Sequence, residues 1–395
     1  MARYKLENIF DLQMGKTPSR NNSEYWNTCD NKWISIGDLT QAGKYITDTK
    51  EYLSDVAVEE SGIKIIPANT VVMSFKLSIG KTAITSEDMY SNEAIMAFHD
   101  KHVVDLMPEY IYYMFKYKDW DEGTNKAVMG KTLNKATLSK VEIEVCPLEK
   151  QKEIVELLDK VSTVLDGRNE ELKKLDELIK ARFVEMFGDP KKNNKNLVSI
   201  GSIGHLNSGG TPSRGKPEYF QGNIKWFTAG ELNSLYLGDT IEHISEDGLK
   251  NSSAKLFKKG TLMIGMYDTA AFKMGILTED SASNQACANL EPNDNYDVIW
   301  LYYVFSILKP LYLNERQGVR QQNLSLTKIK NLQFPAAPFD KQKKFADFVR
   351  EVDKSKVAVQ KSLDETQLLF NSLMQKYFGC YLLLGKRNNQ RKEMV

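Results

Sequence analysis

The sequence predicts an α+β protein: two similar mixed α/β units separated by two long helices that pair as an antiparallel coiled coil. A tandem repeat, strand-like runs inside each copy and a periodic apolar seam closing each copy support this. Thr17-Pro18-Ser19-Arg20 recurs 194 positions later as Thr211-Pro212-Ser213-Arg214. Tyr25-Trp26 returns as Tyr219-Phe220, Trp33-Ile34 as Trp226-Phe227, and Gly37-Asp38-Leu39 as Gly230-Glu231-Leu232. Asn92-Glu93-Ala94 returns as Asn284-Gln285-Ala286, and each copy closes with a proline (Pro147, Pro335) and a Lys-Gln-Lys at 150–152 or 341–343. The small drift in register is what loop insertions do to two copies of one fold.

In chain order, residues 1–146 form the first unit, 147–190 a long helix, 191–337 the second unit, 338–379 a second long helix and 380–395 a basic tail. Short β-branched and aromatic runs at 32–36, 65–75 and 141–145 predict strands in the first unit, with counterparts at 225–228, 260–266 and 332–334. Residues 108–120 and 296–308 each predict one buried helix. The stripe Tyr110, Tyr113, Phe115 and Tyr117 reads as core packing in preference to a base-stacking platform.

From position 154 a seam at 154, 158, 161, 165, 168, 172, 175, 179, 182 and 186 alternates steps of four and three, and eight of its ten residues are apolar. Shifted by 191 it recurs in the second helix, with polar interruptions at Lys356 and Thr366 instead of Arg168 and Arg182. Each helix would be roughly 55 Å long at 1.5 Å per residue, with Gly188 and Gly379 as stops. Asp166-Gly167 is a point where the first could bend. Antiparallel packing of the helices would set the units at opposite ends.

A chain of 395 residues exceeds one ordinary core, and 42% apolar residues can fill two. No apolar run suits a bilayer and no secretory signal leads the chain, so a cytoplasmic protein is expected. The net charge of +1 conceals a partition: −4 over 1–147, −3 over 148–190, +3 over 191–337 and +5 over 338–395. So balanced a total argues against nonspecific polyanion binding and for a local site. The four cysteines are isolated and read as buried thiols, and His99 and His102 lack partners for a metal site.

No catalytic motif emerges. Gly-Lys-Thr occurs at 15–17, 80–82 and 130–132, but the glycine a phosphate loop needs is replaced by Phe10, Phe75 and Asn125. Dinucleotide, amino-methyltransferase and G-x-S-x-G signatures are missing, so no catalytic or metal residue is assigned. The candidate binding residues lie in loops. Lys16, Thr17, Ser19 and Arg20, with Thr211, Ser213 and Arg214, combine hydroxyls with an arginine able to reach phosphate or guanine. Lys131 and Asn134 in the first unit, and Arg320, Gln321, Gln322 and Asn323 in the second, supply groups that bond two base-edge atoms at once. Lys81 and Lys273 complete the DNA-binding set.

Together these features resemble the specificity subunit of type I restriction-modification systems, over essentially the whole chain to about residue 379. The shared pattern is G-x-T-P-S (Gly15, Thr17, Pro18, Ser19), which the second copy departs from by losing the one-residue spacer (Gly210, Thr211, Pro212, Ser213). A W-I/F-S/T-x-G-D/E-L segment follows (Trp33 to Leu39, Trp226 to Leu232), then a strand-ending proline before a glutamine (Pro147 and Gln151, Pro335 and Gln342). The resemblance implies two target-recognition domains, each reading one half of a split asymmetric site in double-stranded DNA, with the helices as a ruler. It also implies a non-catalytic chain without cofactor. S-adenosylmethionine would belong to two methyltransferase partners, and ATP with Mg to restriction/translocase subunits. The recognition subunit of a non-type-I restriction system with a fused nuclease/methyltransferase partner, or a coiled-coil scaffold without a DNA role, are the alternatives.

Overall fold

The computed structural model describes residues 2–76, 78–120, 133–193, 195–314 and 323–379. Lys131, Arg320, Gln321, Gln322 and the basic tail lie outside them. The chain forms two compact units. Unit 1 is Met1–Arg168 with the chain from Ser362 onward, and unit 2 is Asn169–Lys361. Each unit thus holds one globular fold and portions of both long helices.

In unit 1 a five-stranded sheet runs in the order Phe10–Met14, Ile95–Asp100, Val71–Ser74, Thr82–Thr85, Tyr45–Ile46. Both faces are covered. Leu12, Val71, Met73 and Phe98 point into the core that holds the helix Pro108–Tyr117, whereas Val72, Ala83, Ile95 and Ala97 join the opposite cluster with Ile34, Leu39 and Ile46. A strand buried on both faces reads as a continuous apolar run. The stretch 65–75 predicts one strand, but the ladder holds only Val71–Ser74: Pro67 and Asn69 (φ 59°) interrupt it and leave Ile66 an isolated bridge to Met89.

Unit 2 repeats the topology with Gly204–Ser208, Cys287–Pro292, Leu262–Gly265, Met274–Leu277 and Tyr236–Leu237. A smaller sheet accompanies each: Glu51–Leu53, Asn31–Ile34, Tyr90–Ser91 in unit 1, and Glu242–Ile244, Ile224–Phe227, Ser281–Ser283, Leu256–Phe257 in unit 2. The second buried helix extends past the expected 308 to Asn314, through Pro310. Interior proline costs about 3 kcal/mol; beyond it Tyr312 is buried against Phe272 (ring centroids 4.9 Å apart) and Phe305, which offsets that cost.

The long helices are Leu148–Phe187 and Phe339–Phe378, 40 residues each, and the first passes through Gly167 unbroken. Gly188 and Gly379 stop them in the left-handed conformation, at φ 76° and 60°. In unit 2 Phe183 meets Phe345 and Asp176 meets Lys356, contacts that run in opposite chain directions, so the pairing is antiparallel. The seam is only partly right. Ile154, Leu158, Val161, Leu165, Ile179 and Phe370 are buried as it requires, but so are Val155, Phe183 and Met374 beside it. Arg182 instead pairs with Glu185, its guanidinium 5.7 Å from the Phe348 ring. A 3.6-residue helix drifts from a 3.5-residue seam, and here it packs on a globular fold as well as a partner helix.

Two alignments between the copies change. The helix starts make Pro338, not Pro335, the counterpart of Pro147: each carbonyl accepts from the amide of the following glutamine at 3.1 Å. Pro335 ends a strand opposite Leu197. Nor does the second copy lose a spacer. Lys16 N and Gly210 N both donate to a serine carbonyl (Ser91, Ser283) at 2.8 Å, so Gly15-Lys16-Thr17 matches Gly209-Gly210-Thr211. Glycine replaces lysine because a Cβ at 210 would lie 2.2 Å from the Ser253 carbonyl oxygen.

Candidate nucleic-acid interface

The repeated Thr-Pro-Ser-Arg loop leaves the edge strand of each five-stranded sheet and is held by the same set of contacts in both units. Buried Trp33 donates its indole N–H to the Lys16 carbonyl at 3.0 Å, as Trp226 does to Gly210 at 2.9 Å. Thr17 donates to the Glu93 carboxylate, as Thr211 does to the Gln285 side-chain oxygen. That hydroxyl is the main cause holding the Glu93 carboxyl below its usual range, so the side chain acts as an acceptor only.

The arginines close the loops. Arg20 grips Glu51 with both terminal nitrogens and lies 3.7 Å above Trp26, which packs edge-on against Trp33. Arg214 grips Glu242 and lies 4.2 Å above Phe220, itself edge-on to Trp226. The Arg214 hydrogen bonds draw the Glu242 carboxyl down, and Glu242 raises the guanidinium in turn. Bidentate pairing and ring stacking suit Arg and not Lys.

Behind the loop, the Asp or Glu of the tryptophan segment completes a capping box. Asp38 accepts from the Ser35 amide (2.8 Å) and hydroxyl (2.7 Å), and Glu231 from the Thr228 amide (2.8 Å) and hydroxyl (2.7 Å). That segment is therefore architectural.

The remaining candidates disperse. Lys81 bonds the Thr40 hydroxyl and Lys273 the Gly230 carbonyl at 3.5 Å. Asn134 is a helix N-cap: its side-chain oxygen accepts from Thr137 N at 2.8 Å, as Ser325 does from Lys328 N in the matching helix. Ser19 and Ser213 are exposed, and Lys16 donates to the Ser61 carbonyl. Asn323 lines a concavity of about 510 Å³ with Ser208, Tyr267, Gln285 and Lys328. The sequence did not point to Glu51 and Glu242, which hold the arginines, or to Gln285 and Tyr267 beside the second loop, as candidates. Only Gln285 left a signal, as part of the repeated Asn-Glu/Gln-Ala.

Among the described residues no His, Cys, Asp or Glu group is placed to hold a metal, and no helix is long and apolar enough to cross a membrane. Cys146 and Cys287 are buried, but Cys29 is exposed.

Residues 1–176 and 192–366 match the family described as type I restriction modification DNA specificity domain. A specificity subunit of the type I restriction enzyme MjaIX from Methanocaldococcus jannaschii is 26% identical over 282 residues, 66% of this chain and 64% of that protein. The EcoR124I/EcoR124II specificity subunit of Escherichia coli is 30% identical over 42% of this chain and 41% of its own length. The chain thus spans less than two thirds of these relatives. In fold it is similar to the type I restriction-modification S subunit of M. genitalium (TM-score 0.56, 15% identity, 95% of both chains). A chain from a study of type I complex assembly and conformational transition is similar too, with TM-score 0.59 and 16% identity over 95% of this chain and 97% of that one.

Proposed function

Since the chain belongs to the type I restriction-modification DNA specificity family, we propose that each of its two units reads one half of a bipartite, asymmetric site in double-stranded DNA. The paired helices set the gap between the halves. The chain carries no catalysis of its own: it recruits two methyltransferase subunits, which bring S-adenosylmethionine, and restriction/translocase subunits, which bring ATP and Mg.

One observation carries this reading: a scaffold built twice with the same anchors and different exposed chemistry. The tryptophan, threonine and arginine contacts recur in both units. Around them the first copy has Lys16 where the second has Gly210, Glu93 where it has Gln285, and Lys76 where it has Tyr267, the last equivalence set by the matching amide bonds of Phe75 and Met266. A carboxylate only accepts hydrogen bonds, whereas a carboxamide both donates and accepts, so the two surfaces present different patterns to base edges. Two unlike half-sites follow from two unlike surfaces on one frame.

Exchanging residues 1–146 for the equivalent domain of a family member tests this. A complex reconstituted with methyltransferase subunits, selecting from random duplexes, should change one half-site and keep the other. A change in both halves would sink the modular reading. The purified chain alone should transfer no label from S-adenosylmethionine to DNA.

A further inference from the structure

The described core contains two wholly buried glutamines, Gln151 and Gln342, at equivalent places in the first turn of each long helix. Gln151 donates to the carbonyls of Asp105 (2.8 Å) and Cys146 (2.9 Å) and accepts from Met107 N (2.9 Å). Gln342 donates to Asn295 (3.3 Å) and Ala337 (2.7 Å) and accepts from Asp297 N (2.9 Å). Each side chain therefore ties together the long helix, the segment joining it to the last strand, and the loop entering the buried helix of its own unit. The three backbone groups that each side chain meets are the same in both copies, although the residues that supply them all differ.

We propose that Gln151 and Gln342 are positioning residues that fix the direction in which each long helix leaves its recognition fold, and so the stringency with which the gap in the DNA site is measured. The proposal rests on the bipartite reading above. Beyond that turn each helix keeps a polar tie to its unit, Asp159 with Lys44 and Tyr113 or Arg350 with Asp297, but the bulk of its hold is through apolar contacts, of Ile154, Leu158, Val161 and Leu165 in unit 1 and of Phe345, Val349 and Val352 in unit 2. Such contacts are non-directional and let a helix rock or turn at little cost. Hydrogen bonds to three fixed backbone groups are directional and do not. The lever is long: a helix of 40 residues rises about 60 Å, so a change of about 5° at its first turn displaces its far end by about 5 Å. With about 3.4 Å per base pair, that exceeds one step of the duplex.

The test uses the full chain with its methyltransferase partners and duplex pools in which every gap length is present. The wild type should enrich one bipartite sequence at one gap. Gln151→Leu and Gln342→Leu should keep both half-site sequences but spread enrichment over at least two neighbouring gap lengths. Gln151→Glu and Gln342→Glu, which keep an acceptor and lose both donors, serve if a leucine variant loses the wild-type circular-dichroism spectrum. Folded variants that hold the single wild-type gap, or that weaken binding equally at all gaps, would overturn the assignment. A wild type that enriches no bipartite site would instead overturn the functional reading on which it rests.

Discussion

Arg20 and Arg214 show how one residue type supports two expectations. Each has the chemistry of a base or phosphate reader, yet each guanidinium is held by a carboxylate and a ring of its own unit. Their structural role is to clamp the loop that presents Thr17 and Ser19, or Thr211 and Ser213. Both partners are partly solvated, so ion pairing contributes less than about 1 kcal/mol and stacking about as much again. Arg214→Met should therefore lower stability by about 1 kcal/mol in denaturant melts and weaken selection at one half-site only. The Glu242 carboxyl is depressed in the folded state. Its contribution is thus present above the unfolded value near 4.3 and fades as pH falls through the lower folded value. The deficit of the variant should shrink on acidification below about pH 4; a deficit constant from pH 7 to pH 3 would show that Glu242 is not the partner that matters. The arginine is legible in the sequence, but its glutamate 31 or 28 positions away is not, because nothing local encodes which strand will lie beneath the loop.

Among elements, the long helices were the most legible, because forty residues of apolar periodicity and terminal glycines state their own boundaries. At Gly167, where the first helix could bend, it runs on unbroken. Gly167 is exposed, and an added Cβ would meet nothing within 4 Å. Gly167→Ala should therefore raise stability by about 0.5–1 kcal/mol, read as a higher denaturation midpoint with unchanged DNA selection; a loss would reveal a contact or strain at that face. Strands were less legible. Those of two to four residues, such as Tyr45–Ile46 and Tyr90–Ser91, are too short for alternation to register, and several are buried on both faces.

For the whole molecule, the proposed bipartite reading makes gap length a property of helix length. Inserting one heptad at matching points of both helices keeps the seam in phase and adds about 10 Å, or about three base pairs of duplex. The reconstituted complex should select the same half-sites with a gap wider by that amount. An unchanged gap would remove the helices from the measurement.

The duplication, the two long helices and their glycine stops were determined by the sequence alone, since apolar periodicity and turn chemistry are local properties repeated twice. Tertiary structure decided the register of the copies, placing Gly209 opposite Gly15 and Pro338 opposite Pro147. It gave Asn134 a place as a helix cap and joined Thr17 to Glu93 and Gln151 to Met107. Those contacts link residues tens of positions apart, where a hydrogen bond depends on which segments the core brings together and not on spacing along the chain.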